Sequence, residues 1–245
     1  MTGEQRRAQA SSFGAAAGAY EASRPGYPAA ALDWLVPGGA RRVLDLGAGT
    51  GKLTRLLVDR GLEVTAVEPS AGMREQLGVT VPGATVLAGS AEEIPLPAAS
   101  VDAVLVAQAW HWVEPERAVP EVARVLVPGG RLGLVWNIRD TREAWVAALW
   151  AIVHRQASQE TDTAPDLLPP FGDVERFEVG WTDYLSPAEL VQLVESRSYV
   201  ITLPEQQRRD LLAEVAGFIA TDPALAGREK VGFPYITRCT RARLR

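Results

Sequence analysis

The stretch VLDLGAGTGKLT, residues 43–54, decides the fold of this chain. A short apolar run comes first, three alternating glycines follow, and leucines at positions 53, 56 and 57 mark one face of a helix. Glycine adopts positive φ angles and lets a ligand approach the backbone closely. The stretch therefore predicts a strand, a ligand-binding turn and a helix, in that order.

An acid closes the next predicted strand, which covers residues 62–67. This acid, Glu68, lies 21 residues after Gly47. In doubly wound sheets ligands bind beyond the carboxyl ends of the strands, and an acid at that place accepts hydrogen bonds from ribose hydroxyls. The turn and Glu68 together predict a cofactor that contains a nucleoside.

The spacing of the glycines discriminates between cofactor classes. A phosphate-binding loop of the GxxxxGK[ST] type would need glycine at position 46 and serine or threonine at position 53, and both positions are leucine. A dinucleotide-binding turn places pyrophosphate at the helix N-terminus, and the carboxylate of Asp45, two residues before Gly47, would repel it. The same carboxylate suits the ammonium and sulfonium groups of S-adenosylmethionine, which is the predicted cofactor.

Outward from this motif, strands and helices alternate over residues 42–136, which predicts a doubly wound α/β sheet. Beyond Asn137 the pattern changes to a helix with apolar positions at 145–153, in which Asp140 and Glu143 are spaced as a cap. A strand at 174–181 and two helices at about 187–197 and 205–220 follow, with capping-box spacing at Ser186. A last strand covers 231–243. The helices at about 185–220 are predicted to form a lid inserted between two late strands.

Composition excludes several classes of protein. The chain has 245 residues, a net charge of −5 and one cysteine, Cys239, so neither a disulfide framework nor a zinc cluster is expected. The net negative charge favours neither nucleic acid nor an anionic membrane surface as a partner. No apolar run is long enough to span a membrane, and the first nine residues do not have the pattern of a signal peptide. We expect a cytoplasmic protein without a metal.

Five blocks in one order resemble the class I methyltransferases, most closely the family called methyltransferase type 11. The blocks are VLDLGAGTGKLT (43–54), AVEPSAGM (66–73), AGSAEEIPLP (88–97), VDAVLVAQAWHWV (101–113) and RVLVPGGRLGLVWN (124–137). The N-terminal pattern Y-x-x-x-R-P-x-Y-P (20–28) and SRSY (196–199) are also similar to members that act on small molecules. The resemblance implies a Rossmann-like sheet of seven strands, mostly parallel with a late antiparallel strand.

The resemblance also implies a set of cofactor-binding residues. Asp45 and the backbone of 47–49 would hold the methionine end, Glu68 the ribose diol, and Met73 would lie against the adenine ring. Many members carry aspartate where this chain has Ser90, so Glu92 or the amide of Ala91 would serve the adenine amine instead. Gln108 would line the methionine moiety. The full set is Asp45, Gly47, Ala48, Gly49, Glu68, Met73, Ser90, Ala91, Glu92 and Gln108.

Acceptor residues are expected over the same edge of the sheet. His111 is the candidate base, needed only if the acceptor must lose a proton. Aromatic side chains there favour a flat or apolar acceptor, and arginines favour a carboxylate. The candidate substrate-binding residues are Tyr20, Arg24, Tyr27, Trp112, Trp136, Asn137 and Arg139.

The sequence thus predicts a methyltransferase that transfers the methyl group of S-adenosylmethionine to a small molecule, at O, N or C, and releases S-adenosylhomocysteine. A natural product or a carboxylic acid would be the acceptor, and a monomer or homodimer the assembly. Two alternatives remain: a non-catalytic cofactor-binding or regulatory protein, and a nucleic-acid methyltransferase. Three parts are expected: an arm and cap helix (1–40), the cofactor-binding core (41–137) and a C-terminal part that completes the sheet (138–245).

Overall fold

One sheet organises the part of the chain that the structure, a computed structural model, describes: residues 25–155 and 169–245. Its seven strands have the order β3-β2-β1-β4-β5-β7-β6. The first five strands run parallel, and β7 runs antiparallel to both β5 and β6. The strands are β1 (Arg42–Leu46), β2 (Glu63–Val67), β3 (Thr85–Leu87), β4 (Val101–Ala107), β5 (Leu126–Arg139), β6 (Phe171–Leu185) and β7 (Val231–Leu244).

Helices connect the parallel strands, and the predicted α/β sheet with one late antiparallel strand is confirmed. The α-helices of the described residues are α1 (Ala29–Leu35), α2 (Lys52–Val58), α3 (Ala71–Thr80), α4 (Pro115–Val125), α5 (Ala144–His154), α6 (Pro187–Glu195), α7 (Ser198–Ile201) and α8 (Glu205–Thr221). A 3-10 helix, Trp110–Trp112, follows β4.

Helices cover both faces of the parallel strands, and successive apolar side chains of these strands therefore point to opposite buried faces. Val43 and Leu105 face α1 and α2, whereas Leu44 and Val104 face α4. Gly133 lets α1 approach closely, since a Cβ there would lie 3.0 Å from a methyl of Leu35 in α1. The parallel strands therefore present their carboxyl ends at one edge, where the glycine turn lies.

The predicted insertion between two late strands is also confirmed. Helices α6–α8, which we call the lid helices, lie between β6 and β7 and share a core with α5 and the first residues of β7. Because Tyr235 in β7 pairs with Arg139 at the carboxyl end of β5, this core lies at the ligand edge of the sheet. The capping box at Ser186 is present, with Glu189 as its partner.

The structure differs from the sequence prediction at some boundaries. β6 is longer than predicted because it pairs with β7 over residues 231–244. β5 extends beyond Trp136 because its residues 131–139 pair with residues 235–243 of β7. The cap predicted at Asp140 is wrong: Glu143 precedes α5, and Asp140 instead accepts hydrogen bonds from Arg142. No helix among the described residues is long and apolar enough to cross a membrane.

Candidate active site

The glycine turn connects β1 to α2 in a backbone conformation that requires glycine. Gly47 and Gly49 have φ angles of 72° and 57°, in the left-handed region. A Cβ on Gly47 would also lie 3.0 Å from the Cβ of Ala109. The amides of Gly47 and Ala48 both donate to the carbonyl of Val67, at 2.8 and 3.2 Å, which fixes the turn against the end of β2. A ligand can thus approach the backbone of Gly49 without meeting a side chain.

Asp45 is a fully buried acid under the turn. The Thr54 hydroxyl donates to its Oδ2 at 2.6 Å, while its Oδ1 is buried and has no hydrogen-bond partner. Burial raises the pKa of Asp45 to about 7, and the nearby charge of Glu68 acts in the same direction against the Thr54 bond. A buried carboxylate oxygen without a donor is costly, and a cationic ligand group would remove that cost.

Glu68 lies just beyond β2, only 6% exposed, and its carboxylate touches the turn. The amide of Gly49 donates to Oε2 at 3.0 Å, and the amide of Ser70 donates to Oε1 at 2.9 Å. Burial raises the pKa of Glu68, although both amide bonds and the charge of Arg74 oppose this shift. Each oxygen keeps a free lone pair, so Glu68 can still accept two hydroxyl hydrogen bonds.

The residues predicted around adenine lie in two groups. Met73 is buried on α3, and its sulfur lies 4.0 Å from the position of a Cβ on Gly49. Ser90 forms a backbone bridge with Glu93, and Ala91 is buried. The carboxylate of Glu92 accepts from the Glu114 amide at 2.9 Å and so holds the start of α4. Met73 therefore lies beside the glycine turn, and its contact with adenine stays a prediction, as does the role of Glu92.

A cleft opens above the turn and unites residues from distant parts of the chain. Gln108, which directly follows β4, forms one wall and has a φ angle of 57°, a strained conformation for a residue with a side chain. Strain of this kind is typical of functional sites. The lining residues are Pro25, Tyr27, Gly47, Ala48, Gly49, Thr50, Lys52, Leu53, Ala107, Gln108, Asn137, Arg197 and Tyr235.

Asn137 closes the cleft through a chain of buried hydrogen bonds. Its Nδ2 donates to the carbonyl of Gly26 at 2.7 Å, and its Oδ1 accepts from the Thr237 hydroxyl at 2.6 Å. That hydroxyl in turn accepts from the indole of Trp181 at 2.7 Å. Asn137 thus fastens the segment around Gly26 over the cleft, and both polar ends of its side chain are occupied.

An Asn137→Ala variant is expected to lower the free energy of unfolding by about 1–3 kcal/mol, because buried polar groups lose their partners. It should also speed proteolysis next to Gly26. Urea unfolding and timed digestion with proteinase K, which cleaves after most apolar residues, measure both effects. Thr202→Ala, which removes an exposed hydroxyl on the lid helices, is the control. A digestion rate equal to that of the wild type would show that Asn137 does not hold this segment.

Other predicted acceptor residues lie outside the cleft lining. His111 is exposed on the 3-10 helix, with its ring centre 4.7 Å from that of Trp112. Trp136 packs against the core. Arg139 lies over the ring of Trp150, with 4.3 Å from its guanidinium carbon to the ring centre. Tyr20 and Arg24 fall outside the described residues. Of the predicted acceptor residues, Tyr27 and Asn137 line the cleft.

The sequence prediction missed seven lining residues: Pro25, Thr50, Lys52, Leu53, Ala107, Arg197 and Tyr235. Tyr235 follows from the antiparallel register of β7, which no local pattern specifies. Arg197 belongs to the SRSY block that carried part of the resemblance, and this block was the one available signal for it. The position of Arg197 in the cleft depends on how the lid helices pack at the end of the sheet.

Comparisons with known proteins agree with this geometry. A sequence model described as "Methyltransferase domain" matches residues 44–134. An uncharacterised methyltransferase of Mycobacterium tuberculosis is 56% identical over 241 residues, which is 98% of each chain. An uncharacterised methyltransferase-like protein of Schizosaccharomyces pombe is 34% identical and covers 89% of this chain and 90% of its own.

A solved structure from Anaeromyxobacter dehalogenans, described as a candidate type II methyltransferase, is also similar. It has a TM-score of 0.67 and 26% identity, and the match covers 91% of this chain and 97% of the other. Family, fold and site geometry therefore agree, and the chain belongs to the class I S-adenosylmethionine-dependent methyltransferases, in the methyltransferase type 11 family.

Proposed function

We propose that this methyltransferase binds S-adenosylmethionine on the glycine turn and methylates a small molecule held under the lid helices. One observation carries the proposal: a single cleft joins the turn above the unpartnered Asp45 to aromatic and polar side chains from the N-terminal segment and the lid. A cofactor on the turn would therefore face a partly enclosed space, as a small acceptor requires.

The described residues fit the cofactor piece by piece. The unpartnered Oδ1 of Asp45 would accept from the ammonium group, and the glycine backbone would follow the methionine chain. Glu68 would accept from the two ribose hydroxyls with its remaining lone pairs. Met73 would pack against adenine, and Ser90, Ala91 or Glu92 would meet its amine.

When bound, S-adenosylmethionine supplies a methyl group on a positively charged sulfur. The chain's own contribution is then mainly to position the acceptor and exclude water. Gln108 and Asn137 form fixed walls because each is held by backbone or buried hydrogen bonds. Tyr27 and Tyr235 supply apolar surface with a polar tip, which suits a flat or weakly polar acceptor.

The acceptor class is proposed as a natural product or a carboxylic acid. The net charge of −5 disfavours a nucleic acid, whose backbone is recognised by clustered positive charge. A non-catalytic, cofactor-binding role is the second candidate, because the fold alone does not fix function. It is favoured by one observation, namely that the candidate base His111 does not line the cleft.

A turnover assay distinguishes methylation of a small molecule from the regulatory and nucleic-acid alternatives. The purified protein is incubated with S-adenosylmethionine and a panel of phenols, amines and carboxylic acids, and S-adenosylhomocysteine is measured. We expect release that depends on one chemical class of acceptor. Tight cofactor binding with no release above the acceptor-free control across the panel would favour the regulatory alternative, whereas turnover restricted to RNA or DNA would contradict the small-molecule proposal.

His111→Gln tests the proposed base. For a hydroxyl acceptor we expect kcat to fall by about 10²-fold, the usual scale for general base catalysis, with little change in cofactor affinity. The loss should shrink at high pH, where the acceptor ionises without help. His154→Gln, at the last residue of α5 and outside the cleft lining, is the matched control. A kcat unchanged at all pH values would remove His111 from the catalytic residues.

A further inference from the structure

Arg197 is a buried cation that lines the cleft from the side of the lid helices. It lies between α6 and α7, only 5% exposed, and it lines the cleft together with the glycine turn. Its Nε is buried without a hydrogen-bond partner. Nothing assigned so far to cofactor or acceptor binding uses this side chain.

The described residues do not neutralise this charge. No carboxylate among them lies within the 4.0 Å ion-pair distance of Arg197. Among the acids on the surrounding helices, Glu189 caps α6, Glu214 pairs with Arg155, and Glu195 is exposed at the end of α6. Buried arginines are almost always paired, so an unpaired one at a cleft indicates an anionic ligand.

The ring of Trp150 compensates the charge only in part. The guanidinium carbon of Arg197 lies 5.7 Å from the ring centre, near the limit for a cation–π contact. Arg139 already lies over the same ring at 4.3 Å. The ring of Trp150 is therefore nearer to Arg139 than to Arg197 and offers Arg197 only a weak contact.

The cleft therefore has one charge in its lining, Arg197, and an opposite charge, Asp45, buried beneath the glycine turn that forms its floor. Asp45 lies under the turn with a free oxygen, and Arg197 lies on the side of the lid helices with a free nitrogen. A ligand with a cationic group near Asp45 and a carboxylate near Arg197 would neutralise both charges. The planar guanidinium presents parallel N–H donors, which match the two oxygens of a carboxylate.

We propose that Arg197 binds a carboxylate in this cleft, and this rests on the proposed function. The carboxylate has two sources, the amino-acid end of the cofactor or the acceptor itself. In both cases the lid helices would contribute to the site, so that ligand binding and the position of the lid are coupled through Arg197.

Arg197→Met tests the proposal, with Arg197→Lys as the charge-preserving variant and Arg209→Met as the control on the exposed face of α8. Calorimetry measures the Kd of S-adenosylhomocysteine and of 5′-methylthioadenosine, which lacks the amino-acid end. A second titration adds glutarate and phthalate to the protein saturated with S-adenosylhomocysteine. Thermal unfolding is followed without ligand.

Two results would support a carboxylate at Arg197. If the cofactor supplies it, Arg197→Met weakens S-adenosylhomocysteine by about tenfold or more, spares 5′-methylthioadenosine, and Arg197→Lys loses less. If the acceptor supplies it, cofactor affinity is unchanged and only dicarboxylate binding is lost. In both cases the unliganded Arg197→Met protein should unfold at the same or a higher temperature, because an unpaired buried charge has been removed.

Unchanged affinity for the cofactor and for both dicarboxylates in Arg197→Met would overturn the proposal. So would a fall in the unfolding temperature with all affinities unchanged, which would make Arg197 a structural residue. If Arg197→Met does not fold, wild-type affinities in Arg197→Gln, which also removes the charge, would overturn it equally. These are binding measurements, so a failure of turnover with every acceptor would count against the proposed function alone.

Discussion

Asp45→Asn is expected to stabilise the unliganded protein and to weaken cofactor binding in the same molecule. The carboxylate is fully buried, and one of its oxygens has no donor. Replacing it with a neutral amide of the same shape removes the cost of burying the charge, on the order of 2 kcal/mol at pH 8. The affinity for S-adenosylhomocysteine should fall by about tenfold or more, because the ammonium group loses its counter-charge.

The direction of the pH dependence follows from the raised pKa. Between the ordinary value of 3.8 and about 7, the folded protein binds a proton at Asp45 that the unfolded chain has released. The contribution of Asp45 to stability therefore decreases as pH rises through this window, and Asp45→Asn abolishes that decrease. Cofactor affinity should change in the opposite direction, weakening by about tenfold for each pH unit below 7 as Asp45 takes up its proton.

Asp102→Asn is the matched control for this prediction. Desolvation alone would raise the pKa of Asp102, but hydrogen bonds from the amides of Arg41 and Arg42 and the ion pair with the Arg42 guanidinium together lower it. Its substitution should destabilise the protein at neutral pH and leave cofactor affinity unchanged. Thermal unfolding between pH 4 and 8, together with calorimetry, measures both variants. An Asp45→Asn protein that is less stable than the wild type at pH 8 would refute the account of its burial.

Glu68→Ala is expected to reduce affinity for every ligand that carries the ribose. The variant loses the two hydroxyl hydrogen bonds and also frees the amides of Gly49 and Ser70, which loosens the turn. We expect a loss of about 10–100-fold, which corresponds to about 1.4–2.8 kcal/mol. Adenosine, 5′-methylthioadenosine and S-adenosylhomocysteine should weaken in parallel.

The affinities of the variants for these ligands distinguish the role of Asp45 from that of Glu68. Asp45→Asn should weaken S-adenosylhomocysteine and spare adenosine, which lacks the ammonium group. Glu63→Ala, at the exposed start of β2, is the control for Glu68 and should change none of the affinities. A Glu68→Ala protein with full affinity for adenosine would exclude Glu68 from the ribose contact.

Local sequence patterns predicted the elements that local forces determine. The apolar runs at 42–46 and 101–107 form β1 and β4 over just those residues, because apolar runs buried on both faces are bounded by turn residues. The capping box at Ser186 is likewise a contact within four residues. The lengths of β5 and β6, by contrast, depend on pairing with β7. For β6 this partner strand lies more than 40 residues further along the chain.

The residues of the candidate site likewise fall into those that the strand order predicts and those that depend on long-range packing. Asp45 lies near the end of β1, and Glu68 and Gln108 directly follow β2 and β4, so their positions could be predicted from the strand order. Asn137 was identified as a cleft residue, but its bonds to Gly26 and Thr237 depend on long-range packing. Arg197 was missed as a binding residue because burial without a partner is visible only in the folded chain.

The most direct test of the central claim is a calorimetric titration of the wild-type protein with S-adenosylhomocysteine, 5′-methylthioadenosine and adenosine. A cleft that holds the ribose at Glu68 and the ammonium group at Asp45 predicts one site for all three ligands. S-adenosylhomocysteine should then bind about tenfold or more tightly than 5′-methylthioadenosine. No detectable binding of S-adenosylhomocysteine, or equal affinities for all three ligands, would contradict it.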